Sequence, residues 1–186
     1  MPRFFELILV LVIAIIFFLP LTIISLLIKF TSEGPVLHWS KRIGKDNKIF
    51  FMPKFRTMRS NTPQEPTHLL TNPDDYLLST GRFLRKYSLD EIPQIFSIIK
   101  GDMAFVGPRP ALFNQYDLIC QRDRIGISQL KPGITGWAQV NGRDSLSIEE
   151  KVQYDEEYLR RASVSFDMYI IGLTILKVIK KDGISH

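Results

Sequence analysis

Cysteine is almost missing from this chain: Cys120 stands alone among 186 residues. A single thiol excludes an internal disulfide and suits a reducing compartment. Cys120 is expected to be a small buried apolar residue rather than a nucleophile. Histidine is nearly as scarce, at three residues. Neither a His-x-x-x-His nor a Cys-x-x-Cys spacing occurs, which argues against a structural zinc site; His38 and His68 are expected to be structural or solvent-facing. A Walker loop and a Gly-x-Gly-x-x-Gly run are also absent, so P-loop and Rossmann nucleotide binding have no support. There is no internal repeat. The basic excess is modest, 24 − 19 = 5, and no aromatic-basic module accompanies it, so nucleic acid is not an expected partner. An anionic membrane face or a phosphorylated substrate accounts for that excess.

What the chain does have is one long apolar run. Between Leu7 and Ile28 the only polar side chains are Thr22 and Ser25. At 1.5 Å per residue this run covers about 33 Å, enough to cross a hydrocarbon core. It is too long for a signal peptide and has no small-residue cleavage site. Pro20, inside the run, removes one backbone hydrogen bond and clashes with the carbonyl of Ile16. A kinked spanning helix and a re-entrant helix that bends near Leu19-Pro20 both fit. Arg3 precedes the run, and Lys29, Lys41, Arg42, Lys45 and Lys48 follow it. The heavier downstream cluster puts the rest of the chain in the cytoplasm under either reading. Setting aside about thirty residues leaves roughly 155, enough for one compact domain. Residues 1–30 are thus expected to anchor the chain and residues 31–186 to form a cytosolic domain.

Turn chemistry at Ser32-Glu33-Gly34-Pro35 ends the membrane segment. A hairpin follows, with strands near Val36-Lys41 and Lys48-Met52 around Gly44-Lys45-Asp46-Asn47. Ser60 to Asp75 reads as a surface loop. Helical spacing resumes over Tyr76 to Lys86. A helix is expected from about Leu89 to Ile99, with Ser88 and Glu91 in a capping-box pattern or Asp90 as the cap, ended by Lys100-Gly101. Ala111 to Arg124 reads as a helix, Lys131 to Gly136 as a loop and Trp137 to Val140 as a short strand. Ser147 caps a charged helix to Arg161, with Glu150 three residues on. Phe166 to Ile179 suits a helix in the membrane interface, on the anchor or in the core. Trp39 and Trp137 are expected in the core or at an interface. The fold class is α/β, mostly helical with a small sheet.

Two adjacent carboxylates, Asp90 and Glu91, lie amid basic loops. Neighbouring helical residues point about 100° apart, so the two acids need not share one proton. Acids also favour helix N-termini for the macrodipole alone, and taken by itself that reading wins. Arg85 lies just upstream, however. Gly107-Pro108-Arg109-Pro110 is a stiff loop with one guanidinium suited to phosphate. Asn141-Gly142-Arg143 offers another, and Lys54 and Arg56 are expected to converge there too. Paired carboxylates near phosphate usually need Mg²⁺.

Five motifs occur here in one order: Lys54-Phe55-Arg56-Thr57-Met58, Ser88-Leu89-Asp90-Glu91-Ile92-Pro93-Gln94, Lys100-Gly101-Asp102-Met103, Val106-Gly107-Pro108-Arg109-Pro110, and the run Pro132 to Arg143. Together they resemble the bacterial sugar transferases called monotopic phosphoglycosyl transferases, the PglC-like group. The resemblance covers nearly the whole chain. It implies transfer of a phospho-sugar from a nucleotide diphosphate sugar, commonly a UDP-sugar, to polyprenol phosphate, with release of the nucleoside monophosphate. It also implies Mg²⁺ and work at the cytoplasmic face of the bacterial inner membrane, at the first membrane step of polysaccharide assembly. Asp90 is then nucleophile and metal ligand, through a phosphosugar-aspartyl intermediate. Glu91 places the metal or deprotonates the acceptor. Lys54, Arg85, Arg109 and Arg143 fall where the family puts phosphate-binding cations.

The resemblance further implies a re-entrant N-terminal helix with interfacial amphipathic helices. The family's Ser-Pro break is Leu19-Pro20 here, and Thr22 is the candidate to satisfy a carbonyl freed by the kink. Larger relatives carry spanning helices before the same part, so this chain corresponds to a minimal version or a catalytic half. Membrane lipids are expected partners, and other glycan-assembly enzymes or a second copy are admitted. The alternative is a non-catalytic membrane module that binds anionic lipid or a partner. A hydrolase with water as acceptor is disfavoured, because a soluble substrate needs no bilayer.

Overall fold

The computed structural model describes residues 2–59, 62 and 73–180. Helix α1 runs from Arg3–Thr31 with Pro20 inside it. Its length is about 43 Å at the α-helical rise, and its mean hydropathy reaches 3.3. Length and composition thus suffice to cross a membrane. Thr22 Oγ1 donates to the Phe18 carbonyl at 2.9 Å and Ser25 Oγ to the Leu21 carbonyl at 2.7 Å. Thr22 therefore serves Phe18, not the Ile16 carbonyl that Pro20 leaves without its N–H.

Helix α1 touches the rest of the chain at both ends. Val10 joins a buried cluster with Met52, Ile98, Met103, Phe166 and Ile170. About 21 to 27 Å further along by helical rise, Ile24 and Ile28 pack with Phe55 and Leu84 in a second cluster. Near its start, Arg3 Nη2 donates to the Ile99 carbonyl at 2.8 Å and Nη1 pairs with the buried Glu6 at 3.2 Å. The opposite face is bare: Phe4, Leu11, Ile15, Phe18, Leu19 and Phe30 are all at least 60 % exposed.

Strands β1 (Leu37–Ile43) and β2 (Ile49–Phe55) form the expected antiparallel hairpin, pairing His38 with Lys54 and Ile43 with Ile49. Each runs two or three residues beyond its expected end. Asp46 and Asn47 take positive φ at the turn, which their short polar side chains tolerate. Alternation puts Phe50 and Met52 inward and Ile49 and Phe51 outward. A 3-10 turn (Pro73–Tyr76) precedes α2 (Gly81–Lys86), so the helical stretch from Tyr76 shrinks to its second half. The expected loop over Ser60 to Asp75, and His68 with it, lies almost wholly outside the described residues.

The helix expected from Leu89 is a 3-10 segment, Leu89–Gln94, running into α3 (Ile95–Lys100). Ser88 does not cap it. Its φ of 53° is left-handed, and no side-chain cap bond forms. A capping box needs an extended cap residue and a free acid at the third position; Glu91 is engaged elsewhere. Gly101 at φ 93° closes α3 as expected.

Strand β3 (Ala104–Val106) pairs in parallel with β4 (Gly133–Thr135). The segment expected as a loop is therefore the strand, and Trp137–Val140, expected as a strand, is a helical turn, α5. The register explains the exchange. Gly107, Gly133 and Gly136 let the two backbones nearly touch. A Cβ on Gly133 would sit 2.2 Å from the Gly107 nitrogen, and one on Gly136 2.1 Å from the Gly107 carbonyl oxygen. Helix α4 (Tyr116–Arg124) is shorter than expected, since Leu112 bridges Arg42. Leu118 and Arg122 are its buried positions; Cys120, between them, is exposed rather than buried. The 3.6-residue period puts it on the other face.

Helix α6 (Ile148–Arg161) carries the expected capping box: Ser147 N donates to Glu150 Oε2 at 2.7 Å, and Glu150 N to Ser147 Oγ at 3.1 Å. Helix α7 (Val164–Lys180) buries Phe166 and Ile170 in the cluster that also holds Val10, and it packs against α5, β3 and β4, so it is a core helix. Trp137 is half-buried against Phe166 and Tyr154, while Trp39 is exposed. Gly133→Ala should lower stability by about 3 kcal/mol, because backbone on both sides cannot yield. Thermal melting in detergent reads this, and an unchanged midpoint would contradict the close approach.

Candidate active site

The site is built where the hairpin, the 3-10 segment and two glycine-rich loops meet. Lys54 projects inward near the end of β2. Left-handed Ser88 reverses the chain after α2 and sends the 3-10 segment under β2. In a 3-10 helix successive side chains diverge by about 120°, which separates Asp90 from Glu91.

Glu91 gathers the cations. Its Oε1 accepts from Lys54 Nζ at 2.9 Å, Arg109 Nη2 at 3.0 Å and Arg143 Nη2 at 3.1 Å. Burial alone would push the Glu91 carboxyl up, but Lys54, Arg109 and Arg143 together hold it well below the usual range. Burial pulls Lys54 down, with Glu91 opposing. Asp90 goes the other way. It is buried, its pKa is raised by burial and by the neighbouring Glu91 charge, and Lys54, Arg85 and Arg143 offset this only in part. The adjacent acids are thereby split into one strongly ionised anchor and one carboxylate that gains from further positive charge.

All six residues singled out in the sequence belong to this constellation. Arg85 reaches it with Nε donating to Thr57 Oγ1 at 3.0 Å. Arg143 stands at φ 53° after Gly142 at φ 155°, a tight turn that aims its guanidinium back at Glu91. Arg56 does not converge with Lys54. It leaves the strand beyond Phe55, and its guanidinium donates to the Ser32 carbonyl at 3.2 Å, to Ser32 Oγ at 2.7 Å and to the Glu33 carbonyl. It thus satisfies the open C-terminal end of α1.

The loop bearing Arg109 is held through its carbonyls. Gly133 N donates to Pro108 O at 3.0 Å, Arg122 Nη1 to Arg109 O at 2.8 Å, Arg42 Nη1 to Pro110 O at 3.1 Å and Ile43 N to Ala111 O at 3.0 Å. Two prolines remove competing donors.

A model of the bacterial sugar transferase family matches residues 1–181. The chain belongs to that family. It is 40% identical over 154 residues to a sugar transferase of Bacillus subtilis (strain 168), covering 82% of this chain and 74% of the relative. It is also 40% identical over 162 residues to the UDP-glucose:undecaprenyl-phosphate glucose-1-phosphate transferase of Escherichia coli (strain K12), covering 83% and 35%. Identity to the UDP-N-acetylgalactosamine-undecaprenyl-phosphate N-acetylgalactosaminephosphotransferase of Aeromonas hydrophila is 36% over 181 residues, covering 92% and 42%. The chain therefore spans only a third to two fifths of the length of the latter two.

For a sugar transferase, an oxygen-seeking divalent cation is the relevant metal to test against the site. Among the described residues no group of three or more His, Cys, Asp or Glu could cage an ion. Mg²⁺ does not require one, since it is commonly bound through one or two carboxylates and the substrate's phosphates. Buried Asp90 fits that donor set. Thr57, which holds Arg85, lies within a recognised motif yet gave no signal of its own. Arg122 resembled an ordinary helix-end cation, and nothing in sequence ties it to the loop.

Glu91→Gln keeps the shape but leaves three converging cations without their shared charge. It should cost about 1–3 kcal/mol of stability, measured by thermal melting; a midpoint equal to wild type would show that the cluster does not need this carboxylate.

Proposed function

We propose that this chain transfers a phospho-sugar from a UDP-sugar to polyprenol phosphate, releasing UMP, through a covalent intermediate on Asp90. The observation that carries this reading is the cation cluster on Glu91 beside buried Asp90, in a member of the sugar transferase family. Four cations, Lys54, Arg85, Arg109 and Arg143, face two carboxylates. The surplus positive charge suits the diphosphate of the donor.

In the first step an Asp90 carboxylate oxygen forms a bond to the sugar-bearing phosphorus while the bond to the UMP oxygen breaks, and UMP leaves with that electron pair. In the second, a phosphate oxygen of polyprenol phosphate forms a bond to the same phosphorus. The acyl-phosphate bond breaks and Asp90 is regenerated as a carboxylate. Arg109, Arg143 and Lys54 bind and orient the phosphates, and Arg85 supplies charge next to the reacting oxygen. Glu91 organises the cations; Lys54, Arg109 and Arg143 hold its carboxyl well below the usual range, which makes it a weak base. Mg²⁺, held by Asp90 and the donor phosphates, would supply Lewis-acid charge neutralisation there.

The membrane geometry suits the acceptor. Helix α1 meets the same domain at Val10 and again at Ile28. A helix carried across the bilayer would leave one of those contacts on the far side, so this packing supports a re-entrant segment with both ends at the cytoplasmic face. The 3-10 segment bearing Asp90 continues directly into α3, whose Phe96 and Ile99 are exposed. That apolar surface supports a site at headgroup level, where a polyprenol carries its phosphate.

Asp90→Asn should abolish UMP release, a loss of at least about 10³-fold, while the melting midpoint stays within a few degrees. Wild type incubated with a radiolabelled UDP-sugar without acceptor should retain label on Asp90. Product formation by the variant, or turnover by wild type with no trappable adduct, would refute the covalent route.

A further inference from the structure

We propose that Arg122, clamped by Asp155, is a positioning residue for Arg109: it fixes the Pro-Arg-Pro backbone so that the Arg109 guanidinium meets the donor's phosphate preformed. The inference rests on the reading above that Arg109 binds that phosphate. Arg122 and Asp155 lie on α4 and α6, away from the acids of the site, and the transfer steps do not use them.

Arg122 spends its fork in two directions. Nε and Nη2 both donate to Asp155 Oδ2, at 2.9 and 2.6 Å, and Nη1 donates to the Arg109 carbonyl at 2.8 Å. Both side chains are buried, Asp155 almost completely. A buried ion pair is a weak source of net stability, because desolvating two charges offsets their attraction. Its retention here therefore calls for another role, and the third hydrogen bond supplies one.

The torsions of the loop show what that bond controls. Pro108 and Pro110 have φ locked near −65°. Arg109, preceding a proline, is confined to extended conformations. What remains is the direction of the Arg109 carbonyl, which follows ψ of Arg109, and Arg122 Nη1 holds that oxygen. The Arg109 side chain then leaves a backbone with little freedom and reaches Glu91 Oε1 at 3.0 Å. A lysine at 122 can pair with Asp155 or reach the carbonyl, but it lacks the planar fork that does both.

The test uses the full chain in detergent or a bilayer, with whichever of UDP-glucose, UDP-galactose or UDP-N-acetylgalactosamine wild type turns over fastest. Arg122→Lys and Asp155→Asn are each combined with Arg109→Ala, and Ser147→Ala, which removes the cap of α6, is the purely structural control. Singly, Arg122→Lys should lower kcat/KM by about 10- to 100-fold through misplacement of the guanidinium. In the Arg109→Ala background it should add less than about threefold, because the group it positions is already gone. Ser147→Ala should lower the melting midpoint and multiply independently with Arg109→Ala. A full independent loss from Arg122→Lys on top of Arg109→Ala overturns the inference. So does failure of both clamp variants to fold while Ser147→Ala folds, which would make the pair structural alone. If Arg109→Ala retains wild-type kcat/KM, the phosphate-binding role assigned to Arg109 falls first, and the positioning role with it.

Discussion

One carboxylate oxygen, Oε1 of Glu91, holds together side chains from three separate parts of the chain. Lys54 comes from a hairpin strand, Arg109 from the loop after β3 and Arg143 from the turn after α5. Without a shared anion these three charges would repel at hydrogen-bond distance, and no arrangement of the backbone alone would bring them together. Part of the attraction is offset by burying the acid, which is why the pairings must be close and several. The same oxygen leaves the neighbouring Asp90 in a different environment, buried and facing positive charge.

That convergence needs backbones brought unusually close. Three glycines at the β3–β4 crossing allow a contact no side chain could share. The carbonyls of residues 108–111 are each taken by a donor from elsewhere, so the arginine-bearing loop is part of the scaffold rather than an excursion from it. Strain concentrates next to the site, at Ser88 and Arg143, both left-handed without being glycine. Such rigidity leaves little ordering to be done when a ligand arrives.

The apolar helix belongs to the same construction. Its inward stripe completes two buried clusters of the globular part, and its outward stripe is bare. Arg56 closes its C-terminal end and lies two residues from Lys54. The apolar helix and the cation cluster are therefore mechanically continuous, which fixes Asp90 relative to the apolar face.

Much of this was legible from residue order alone. The apolar run, the hairpin with its Asp-Asn turn, the α6 capping box and the glycine end of α3 depend on neighbours within a few residues, and each appeared as expected. The six charged residues of the cluster around Glu91 and Asp90, those two included, were equally readable as candidates, since each sits in a local motif whose composition is unusual. The tertiary structure decided which atoms meet. It turned Ser88 into a left-handed hinge instead of a cap, made β4 out of a glycine-rich stretch and a helical turn out of Trp137–Val140, and sent Arg56 to the helix end. It also tied Arg122 to Arg109 through a carbonyl. Those outcomes rest on contacts between residues far apart in the chain, where packing and charge pairing override local preference.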